Sequence, residues 1–508
     1  MQPNILFLMA DQLNHRFVPW SGNPIVQAPN LARLAGRGTV FENAYCNYPI
    51  CAPSRYSMLT GRMPHAIEAW DNAAEMPAHL PTIAHGLASA GYQTILCGKM
   101  HFVGPDQLHG FAERLVTDIY PADFAWVPDW RAGPRNAPTG ISMKAVIEAG
   151  HCLRSLQIDY DDEVEHAAVQ KLYDLRRRPS QDPFFLCVSL THPHSPFTAS
   201  KEHWDRYEHE AIDMPRVGPL PFEQLDEHSR WLYLSHGRDR DEVTEAHVRN
   251  ARHAYYGMVS YVDDKIGRLV QLMDTLAFER PTLIVFCADH GEMMGERGMW
   301  YKQTFFEDSV RVPMFIGGDA WPSPAKRDAR PVSLLDLVPT LLEITDTEDA
   351  WPSPLDGQSL LSEDERNPVF SEYSDMGVCA PCRMIRHERF KYWITHGHPA
   401  QLFDLQADPL ELNNLAGRAD YAQVEADLHA KATAGWCPEA IHERVLRSQA
   451  ERQFIQGTRA ALSAEQNWSY QAVRDDHRRF VRGSGDGEGT VATKRLARYP
   501  QWERDAAD

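Results

Sequence analysis

The sequence has no long hydrophobic run. Its first apolar segment, residues 5–10, has no basic residue before it and ends on Asp11 and Gln12, so it resembles a buried strand more than a secretory signal. No later segment approaches the roughly 20 apolar residues that a membrane-spanning helix needs. We therefore predict a cytoplasmic protein with no membrane partner.

Basic residues are also scarce relative to acidic ones. Lys and Arg number 51 against 70 Asp and Glu, which gives a net charge of −19. Such a charge disfavours non-specific attraction to nucleic acids and to other anionic polymers. We expect no nucleic-acid partner, and a small neutral or cationic molecule fits this charge better as a substrate.

The nine cysteines do not form a disulfide framework, because they are odd in number and scattered through 508 residues. This usage agrees with a reducing compartment. Cys379 and Cys382 form a lone CxxC with no second pair nearby, so we interpret them as buried or loop thiols instead of a zinc or redox site.

Short apolar runs alternate with segments of helical periodicity, which is typical of an α/β fold. The predicted strands are residues 5–9, 94–97, 184–190 and 283–287, and the predicted helices include 80–90, 164–176 and 245–276. A chain of this length favours a large domain plus a smaller one. We predict a large, mainly parallel sheet sandwiched by helices in residues 1–365.

The smaller domain is predicted at residues 366–450. Three strand-like segments with turn residues between them, 368–373, 383–394 and 401–405, indicate a small antiparallel sheet. Residues 451–508 are predicted to be a tail, with a flexible Gly-rich link at 483–489.

Each of four predicted strands is followed by side chains that carry chemistry. In open α/β sheets, ligands bind beyond the carboxyl ends of the strands. Asp11, Asp289 and His290 are a suitable partial ligand set for one divalent cation. Lysines can hold anionic oxygens, and histidines can move protons near neutral pH. The candidates of these two types are Lys99, Lys302, His101, His192 and His194.

The segment around Cys51 predicts a helix start. Pro53 suits the first turn and Gly61 the stop, so Cys51 is expected at the helix N-terminus. Free backbone N–H groups favour an anion there. Arg55, one turn later, adds a bidentate partner for sulfate-like or phosphate-like oxygens.

The sequence Cys51-Ala52-Pro53-Ser54-Arg55, followed by Leu59-Thr60-Gly61-Arg62, resembles the signature of the sulfatases, in which the cysteine is oxidised to formylglycine after translation. The likeness extends to residues 4–12, 98–101, 192–194, 289–302 and 401–415. It implies an alkaline-phosphatase-like fold with a catalytic domain in residues 1–365 and a smaller C-terminal α+β subdomain. Residues 71–75, 99–111, 118–124 and 160–164 are similar to those of choline sulfatases.

The resemblance implies a role for each candidate residue. Asp11, Asp289, His290 and the modified Cys51 would bind one metal ion, Ca²⁺ or Mn²⁺. In sulfatases one hydroxyl of the hydrated formylglycine attacks sulfur, and loss of a proton from the other then expels sulfate. The implied catalytic residues are Cys51, Arg55, Lys99, His101, His194 and Lys302, and the implied substrate-binding residues are Asn72, Trp126 and His192.

Other features keep alternatives open. Asp11-Gln12 and Asp289-His290 are shared with choline sulfatases and with phosphonate monoester hydrolases. The region after Arg131 has few of the aromatic and histidine residues of choline sulfatases, and residues 372–376 lack a second acidic position. We predict hydrolysis of a choline-sulfate-like monoester. The alternatives are a phosphonate monoester or phosphodiester hydrolase, an aryl sulfatase, and, more remotely, a non-catalytic anion-binding relative.

The resemblance also implies partners. A formylglycine-generating enzyme would mature Cys51, and the protein would form a homo-oligomer, a dimer or a tetramer. Choline sulfatases carry an aromatic and acidic segment near the C-terminus that reaches a neighbouring subunit's active site. Residues 466–470 are a loose counterpart, so the tail 451–508 is expected either to contact another subunit or to pack on the surface.

Overall fold

The computed structural model describes residues 2–461 except 137, 140, 179 and 181, and only the backbone of residues 459–461. The part of the predicted tail that follows residue 461, with its Gly-rich link and residues 466–470, lies outside the described residues. The described residues all belong to one compact unit. The domain boundaries at residues 365 and 450 stay predictions.

Within the described ranges, the largest sheet has eight strands in the order β10-β2-β9-β8-β1-β6-β3-β4. Its strands are β1 (Asn4–Ala10), β2 (Gly38–Tyr45), β3 (Gln93–Gly98), β4 (Glu113–Arg114), β6 (Phe184–Leu190), β8 (Thr282–Ala288), β9 (Arg311–Gly317) and β10 (Lys326–Ser333). Only β9 is antiparallel to its neighbours. The mixed, mainly parallel sheet confirms the predicted α/β class.

The four strands predicted from apolar runs are adjacent at the centre of this sheet. Every residue of β1 and β6 is buried, as expected of parallel strands covered by helices on both faces. Ala10 pairs with both Leu190 and Ala288, and Gly98 pairs with Ser189. The residues that follow these strands therefore meet at one edge, as predicted.

The described part of the chain contains twelve α-helices. They are α1 (Pro29–Ala35), α2 (Cys51–Thr60), α3 (Ile83–Ser89), α4 (Lys144–Ile147), α5 (Leu156–Arg177), α6 (Lys201–Trp204), α7 (Glu227–Ser235), α8 (Glu245–Leu276), α9 (Glu307–Val310), α10 (Leu337–Thr345), α11 (Ala422–Thr433) and α12 (Pro438–Ala461). The bounds of α8 match the prediction, whereas α5 begins earlier because Ser155 caps it at the N–H of Ile158. A short parallel pair, β5 (Gly150–Cys152) and β7 (Thr198–Ser200), lies outside the main sheet.

The C-terminal sheet is antiparallel, as predicted, but it has four strands in the described chain. They are β11 (Val369–Tyr373), β12 (Cys382–His387), β13 (Phe390–Thr395) and β14 (Gln401–Asp404). The prediction of one strand over residues 383–394 is wrong, because the chain reverses between His387 and Phe390. Glu388 takes a φ of +50° at this turn, a conformation that Gly or Asn normally signals.

Two expectations from composition can be compared with the structure. No helix in the described part of the chain is both long and apolar enough to cross a membrane. All nine cysteines fall within the described residues and are free. Burial raises the pKa of the Cys382 thiol well above its usual range, as expected of a packing residue.

Candidate active site

Helix α2 carries Cys51 to the carboxyl edge of the central strands. Ile50 is extended, the helix begins at Cys51, and Pro53 lies in its first turn, where a missing N–H costs no hydrogen bond. Gly61 ends the helix at a φ of +67°, a backbone conformation that glycine adopts without strain. Cys51 is 1% exposed, so its Sγ faces the interior of the protein.

Four predicted ligands meet around this thiol. One donor atom each from Asp11, Cys51, Asp289 and His290 lies within 4.8 Å of the others. Cys51 Sγ is 3.3 Å from His290 Nε2 and 3.9 Å from Asp11 Oδ1. The structure thus brings together the set that the sequence predicted as a metal site.

The imidazole of His290 is oriented as a ligand. Its Nδ1 lies 3.0 Å from the carbonyl oxygen of Gly291, so this nitrogen donates its hydrogen and Nε2 presents a lone pair to the other donors. Burial lowers the pKa of His290 to about 4. A neutral imidazole at neutral pH is the form that binds a metal ion.

Both carboxylates remain ionised in spite of burial. Burial alone would raise the pKa of each, but Lys99 and Arg55 lower that of Asp11, and Arg55 lowers that of Asp289. Arg55 Nε donates to Asp289 Oδ2 at 2.8 Å, and Nη2 donates to Asp11 Oδ2 at 3.1 Å. Its Nη1 donates to the Lys99 carbonyl at 2.6 Å. Arg55 therefore joins three strand ends.

This donor set fits a divalent cation. Carboxylate oxygens suit Ca²⁺ and Mn²⁺, and an imidazole ligand makes Mn²⁺ more compatible than in an all-oxygen site. Asp11, Asp289, His290 and residue 51 would hold the ion.

Two lysines form the cationic side of the site. Lys99 hydrogen-bonds Asp11, and its Nζ lies 3.5 Å from Cys51 Sγ. Lys302 Nζ donates to Gln12 Oε1 and lies 2.9 Å from His194 Nε2. Both lysines are at least 97% buried, so their charges act in a medium that screens them weakly.

His194 is neutral and accepts a hydrogen bond from Lys302. Burial, together with the charges of Lys302 and Lys99, holds the pKa of His194 well below its usual range. Its Nδ1 is 2.6 Å from the Ser195 carbonyl, so Nδ1 carries the hydrogen and Nε2 faces Lys302. The structure places His194 and Lys302 as one pair.

His101 lies in an aromatic group beside Lys99. Its ring centroid is 5.3 Å from that of Tyr120 and 5.6 Å from that of Trp126, and Lys99 Nζ is 4.2 Å from the Tyr120 centroid. Neither ring nitrogen of His101 has a hydrogen-bond partner among the described residues. Asp118 Oδ2 accepts the His101 N–H at 2.5 Å, which fixes the loop after β3.

Asn72 contacts the start of α2. Its Oδ1 accepts the N–H of Ala52 at 2.9 Å, and its own N–H donates to Asp375 Oδ2 at 2.9 Å. Asn72 therefore contacts the residue that follows Cys51, and its predicted contact with the substrate stays a prediction.

His192 points to different partners. Its Nδ1 is 2.6 Å from Asp161 Oδ2, and its ring lies 4.7 Å from that of Tyr261, so its contacts are with helices α5 and α8. The hydrogen bonds of His194, two residues later, reach Lys302 instead. The substrate-binding role of His192 stays a prediction.

Three residues that contact this cluster were not among the predicted site residues. Gln12 and Glu292 follow two of the predicted strands closely, and that position was the signal available for them. Tyr120 lies in the segment 118–124, whose similarity to choline sulfatases was the signal available for it. Glu292 is fully buried, and burial raises its pKa to about 7.

Comparisons with known proteins agree with this geometry. The family described as Sulfatase matches residues 3–347, and the family described as N-sulphoglucosamine sulphohydrolase, C-terminal, matches residues 295–435. A choline-sulfatase of Rhizobium meliloti is 42% identical over 516 residues, with 99% of each chain covered. An arylsulfatase of Clostridium perfringens is 30% identical, with 83% of this chain and 92% of the relative covered.

Solved structures show the same fold. A phosphonate monoester hydrolase of Agrobacterium radiobacter superposes with a TM-score of 0.68 at 25% identity, covering 87% of this chain and 96% of that chain. The family match spans more than half of the sequence, and the Rhizobium meliloti relative covers nearly all of it. The chain belongs to the sulfatase family of sulfuric ester hydrolases.

Proposed function

We propose that this sulfatase hydrolyses the sulfate monoester of a small cationic alcohol, of the choline-sulfate type, to the alcohol and inorganic sulfate. One observation carries the proposal: Cys51 lies in a buried cluster with Asp11, Asp289 and His290, which could hold a metal ion, and its Sγ is 3.5 Å from Lys99 Nζ. A second buried lysine, Lys302, contacts Gln12, the residue after Asp11.

The local charge favours an anion although the whole chain is acidic. Arg55, Lys99 and Lys302 contribute three positive charges, against the carboxylates of Asp11, Asp289 and Glu292, and a divalent cation would add two positive charges that leave the site positive overall. A sulfate group would be attracted by this positive excess, because the interactions are buried and weakly screened.

The metal ion and the modified cysteine would supply chemistry that the ordinary side chains lack. A bound divalent cation would polarise the sulfate oxygens as a Lewis acid. Formylglycine at position 51 would supply a hydroxyl nucleophile together with a route for releasing sulfate without hydrolysis of a second stable ester.

The remaining side chains would bind the sulfate group and move protons. Lys99 and Lys302 would stabilise negative charge that develops on the oxygens in the transition state. The Lys302–His194 pair would provide the proton for the leaving oxygen. His101, whose ring nitrogens lack partners among the described residues, would accept the proton that is lost when sulfate is released.

Aromatic faces beside the sulfate position support a cationic leaving group. Trp126 and Tyr120 have ring centroids 5.1 Å apart, and Trp126 is partly exposed. Aromatic faces attract quaternary ammonium groups. The choline-sulfatase of Rhizobium meliloti, 42% identical across the whole chain, supports the same assignment.

Phosphonate monoester hydrolysis is the second candidate. Its support is the superposition on the Agrobacterium radiobacter phosphonate monoester hydrolase. The Asp11-Gln12 and Asp289-His290 pairs also resemble those of both choline sulfatases and phosphonate monoester hydrolases. An aryl sulfatase would use the same groups with a different leaving alcohol.

A substrate panel separates these candidates. We expect kcat/KM to be higher for choline O-sulfate than for an aryl sulfate, and higher for either than for an aryl phosphonate monoester, at equal metal loading. If choline O-sulfate turns over no faster than the aryl sulfate, the choline assignment is wrong. If the phosphonate ester is the best substrate, the sulfate assignment is wrong as well.

The proposal also includes the protein's surroundings. The free cysteines support a reducing, cytoplasmic location. A formylglycine-generating enzyme would convert Cys51, and assembly into a dimer or a tetramer would follow the pattern of choline sulfatases. Mass photometry of the purified protein would measure the oligomer size.

A further inference from the structure

Glu292 is a buried carboxylate that uses both of its oxygens beside the active site. Its Oε2 accepts a hydrogen bond from Gln12 Nε2. Its Oε1 accepts the backbone N–H of Tyr301 at 2.6 Å and that of Met294 at 3.1 Å. None of these contacts belongs to the predicted catalytic or metal-binding set.

The carboxylate determines which end of the Gln12 amide faces Lys302. A carboxylate accepts hydrogen bonds, so the Gln12 NH₂ group faces Glu292 and the amide oxygen is directed to the Lys302 ammonium. The backbone of Gln12 is held as well, because its N–H donates to Asp289 Oδ1 at 3.0 Å and its carbonyl accepts from Tyr255 Oη at 2.6 Å. The Gln12 amide therefore bridges the Glu292 carboxylate and the Lys302 ammonium from a backbone that is itself held in place.

Glu292 also holds the backbone next to the lysine. Tyr301, whose N–H it accepts, immediately precedes Lys302 and has a φ of +66°. One carboxylate thus fixes both the chain that carries Lys302 and the amide that contacts its ammonium. The other partner of this ammonium is His194 Nε2, at 2.9 Å.

We propose that Glu292 is a positioning residue that, through Gln12 and the Tyr301 backbone, aims the Lys302 ammonium at the sulfate group of the substrate. This inference rests on the proposed function, because it assumes that Lys302 binds sulfate. It assigns Glu292 no contact with substrate or metal.

The substitution Glu292→Gln keeps the shape of the side chain but changes its hydrogen-bonding pattern. The new amide oxygen can still accept the Tyr301 N–H, but the new NH₂ group faces the NH₂ group of Gln12. To avoid the contact between these two NH₂ groups, the Gln12 amide must rotate, and its NH₂ group then faces the Lys302 ammonium. Because two donors cannot share a hydrogen bond, Lys302 must move.

Glu296→Gln is a matched control. Glu296 is a buried glutamate four residues later in the same loop. Its carboxylate accepts from Arg16 and from the N–H groups of Arg216 and Val217, which are not part of the site. Both variants replace a buried carboxyl group by an amide of the same shape, and only Glu292→Gln disturbs the contacts of Lys302.

The experiment measures the Kd of inorganic sulfate by titration calorimetry and the KM and kcat for choline O-sulfate, at matched metal content. Loss of a hydrogen bond to a charged group predicts a Kd about 10-fold to 100-fold higher for Glu292→Gln. Glu296→Gln should bind sulfate as the wild type does. The KM should rise with the Kd in Glu292→Gln, while the metal content stays unchanged.

If Glu292→Gln does not fold, a second variant tests the same inference. Gln12→Ala removes the amide and should weaken sulfate binding by a similar factor, and the double variant should be no weaker than the worse single one because both act through one amide. Three results would overturn the inference. The first is unchanged sulfate affinity in Glu292→Gln or in Gln12→Ala, and the second is an equal loss of affinity in Glu292→Gln and Glu296→Gln. The third is additive effects of the two substitutions in the double variant. A wild-type protein that binds sulfate but hydrolyses no sulfate ester would contradict the proposed function, and the sulfate affinities would still decide the role of Glu292.

Discussion

At the scale of single residues, the site is organised by Arg55. Its guanidinium is fully buried and contacts the carboxylates of Asp11 and Asp289, two of the predicted metal ligands, and the carbonyl of Lys99. Breaking a buried ion pair is costly because it leaves an uncompensated charge. We therefore expect the ligands and the arginine to behave as one unit when any of them is replaced.

Asp289→Asn removes one charge and keeps the size of the side chain. The metal site loses an anionic ligand, so we expect less than stoichiometric metal and a turnover at least about 100-fold lower, the upper range for disturbing a metal shell. Atomic spectrometry and the rate of sulfate release measure the two effects. Asp274→Asn, an exposed aspartate on α8 paired with Arg37, is the control. Unchanged metal content and turnover in Asp289→Asn would contradict the metal assignment.

Trp126→Leu tests recognition of the cationic alcohol. Loss of one cation–π contact should lower kcat/KM for choline O-sulfate by about 3-fold to 30-fold. The sulfate ester of an uncharged alcohol of similar size should be hardly affected. Trp126→Phe, which keeps an aromatic face, should lie between Trp126→Leu and the wild type. Equal losses of kcat/KM for choline O-sulfate and for the ester of the uncharged alcohol would show that Trp126 acts only by packing.

At the scale of elements, helix α12 is joined to the loop that holds Asn72. Arg452 Nη1 and Nη2 donate to the two carboxylate oxygens of Asp71 at 2.5 and 2.6 Å. Asn72, the next residue, contacts the start of α2 through the N–H of Ala52. Helix α12 therefore supports the segment that contacts the start of α2 beside Cys51.

Arg452→Met should leave the Asp71 carboxylate buried without its partner. We expect the free energy of unfolding to fall by about 3 kcal/mol, and turnover to fall because the Asn72 loop loses its support. Urea denaturation and steady-state kinetics measure these effects. Arg447, an exposed arginine of the same helix, serves as the control: Arg447→Met should change neither quantity. Equal stability of the two variants would show that this ion pair does not hold α12.

The structure also shows which elements the sequence could predict. The central strands could be predicted from their apolar runs, and α2 could be predicted from Pro53 and Gly61, because these signals depend only on residues that are neighbours in the sequence. The turn at Glu388 was missed because the residue carries no turn signal. The link from Glu292 through Gln12 to Lys302 joins residues 280 and 290 positions apart, and no local pattern reports such a pairing. The same holds for Asp71 and Arg452, 381 positions apart.

At the scale of the whole molecule, buried neutral histidines make stability depend on pH. Burial lowers the pKa of His236 to about 4, below the ordinary value of about 6.5. Below pH 6.5 the unfolded chain binds a proton that the folded chain does not. The contribution of His236 is therefore complete above pH 6.5 and is lost as the pH falls towards 4.

This linkage predicts the behaviour of His236→Gln. Between pH 7 and pH 4, the wild type should lose about 3 kcal/mol more free energy of unfolding than the variant. This energy corresponds to the fall of the His236 pKa from about 6.5 in the unfolded chain to about 4 in the folded chain. Denaturant titrations at several pH values measure the difference. His398→Gln, at an exposed position, should follow the wild type. Parallel pH curves for wild type and His236→Gln would contradict the linkage.

The central claim is that the protein acts as a hydrolase through a converted Cys51. The most direct test is the mass of the peptide that contains residue 51, measured beside the rate of sulfate release in preparations made with and without a formylglycine-generating enzyme. We expect the rate to rise in proportion to the fraction of aldehyde and to extrapolate to zero for the pure thiol. A preparation that contains only the thiol and hydrolyses the ester at the same rate would contradict it.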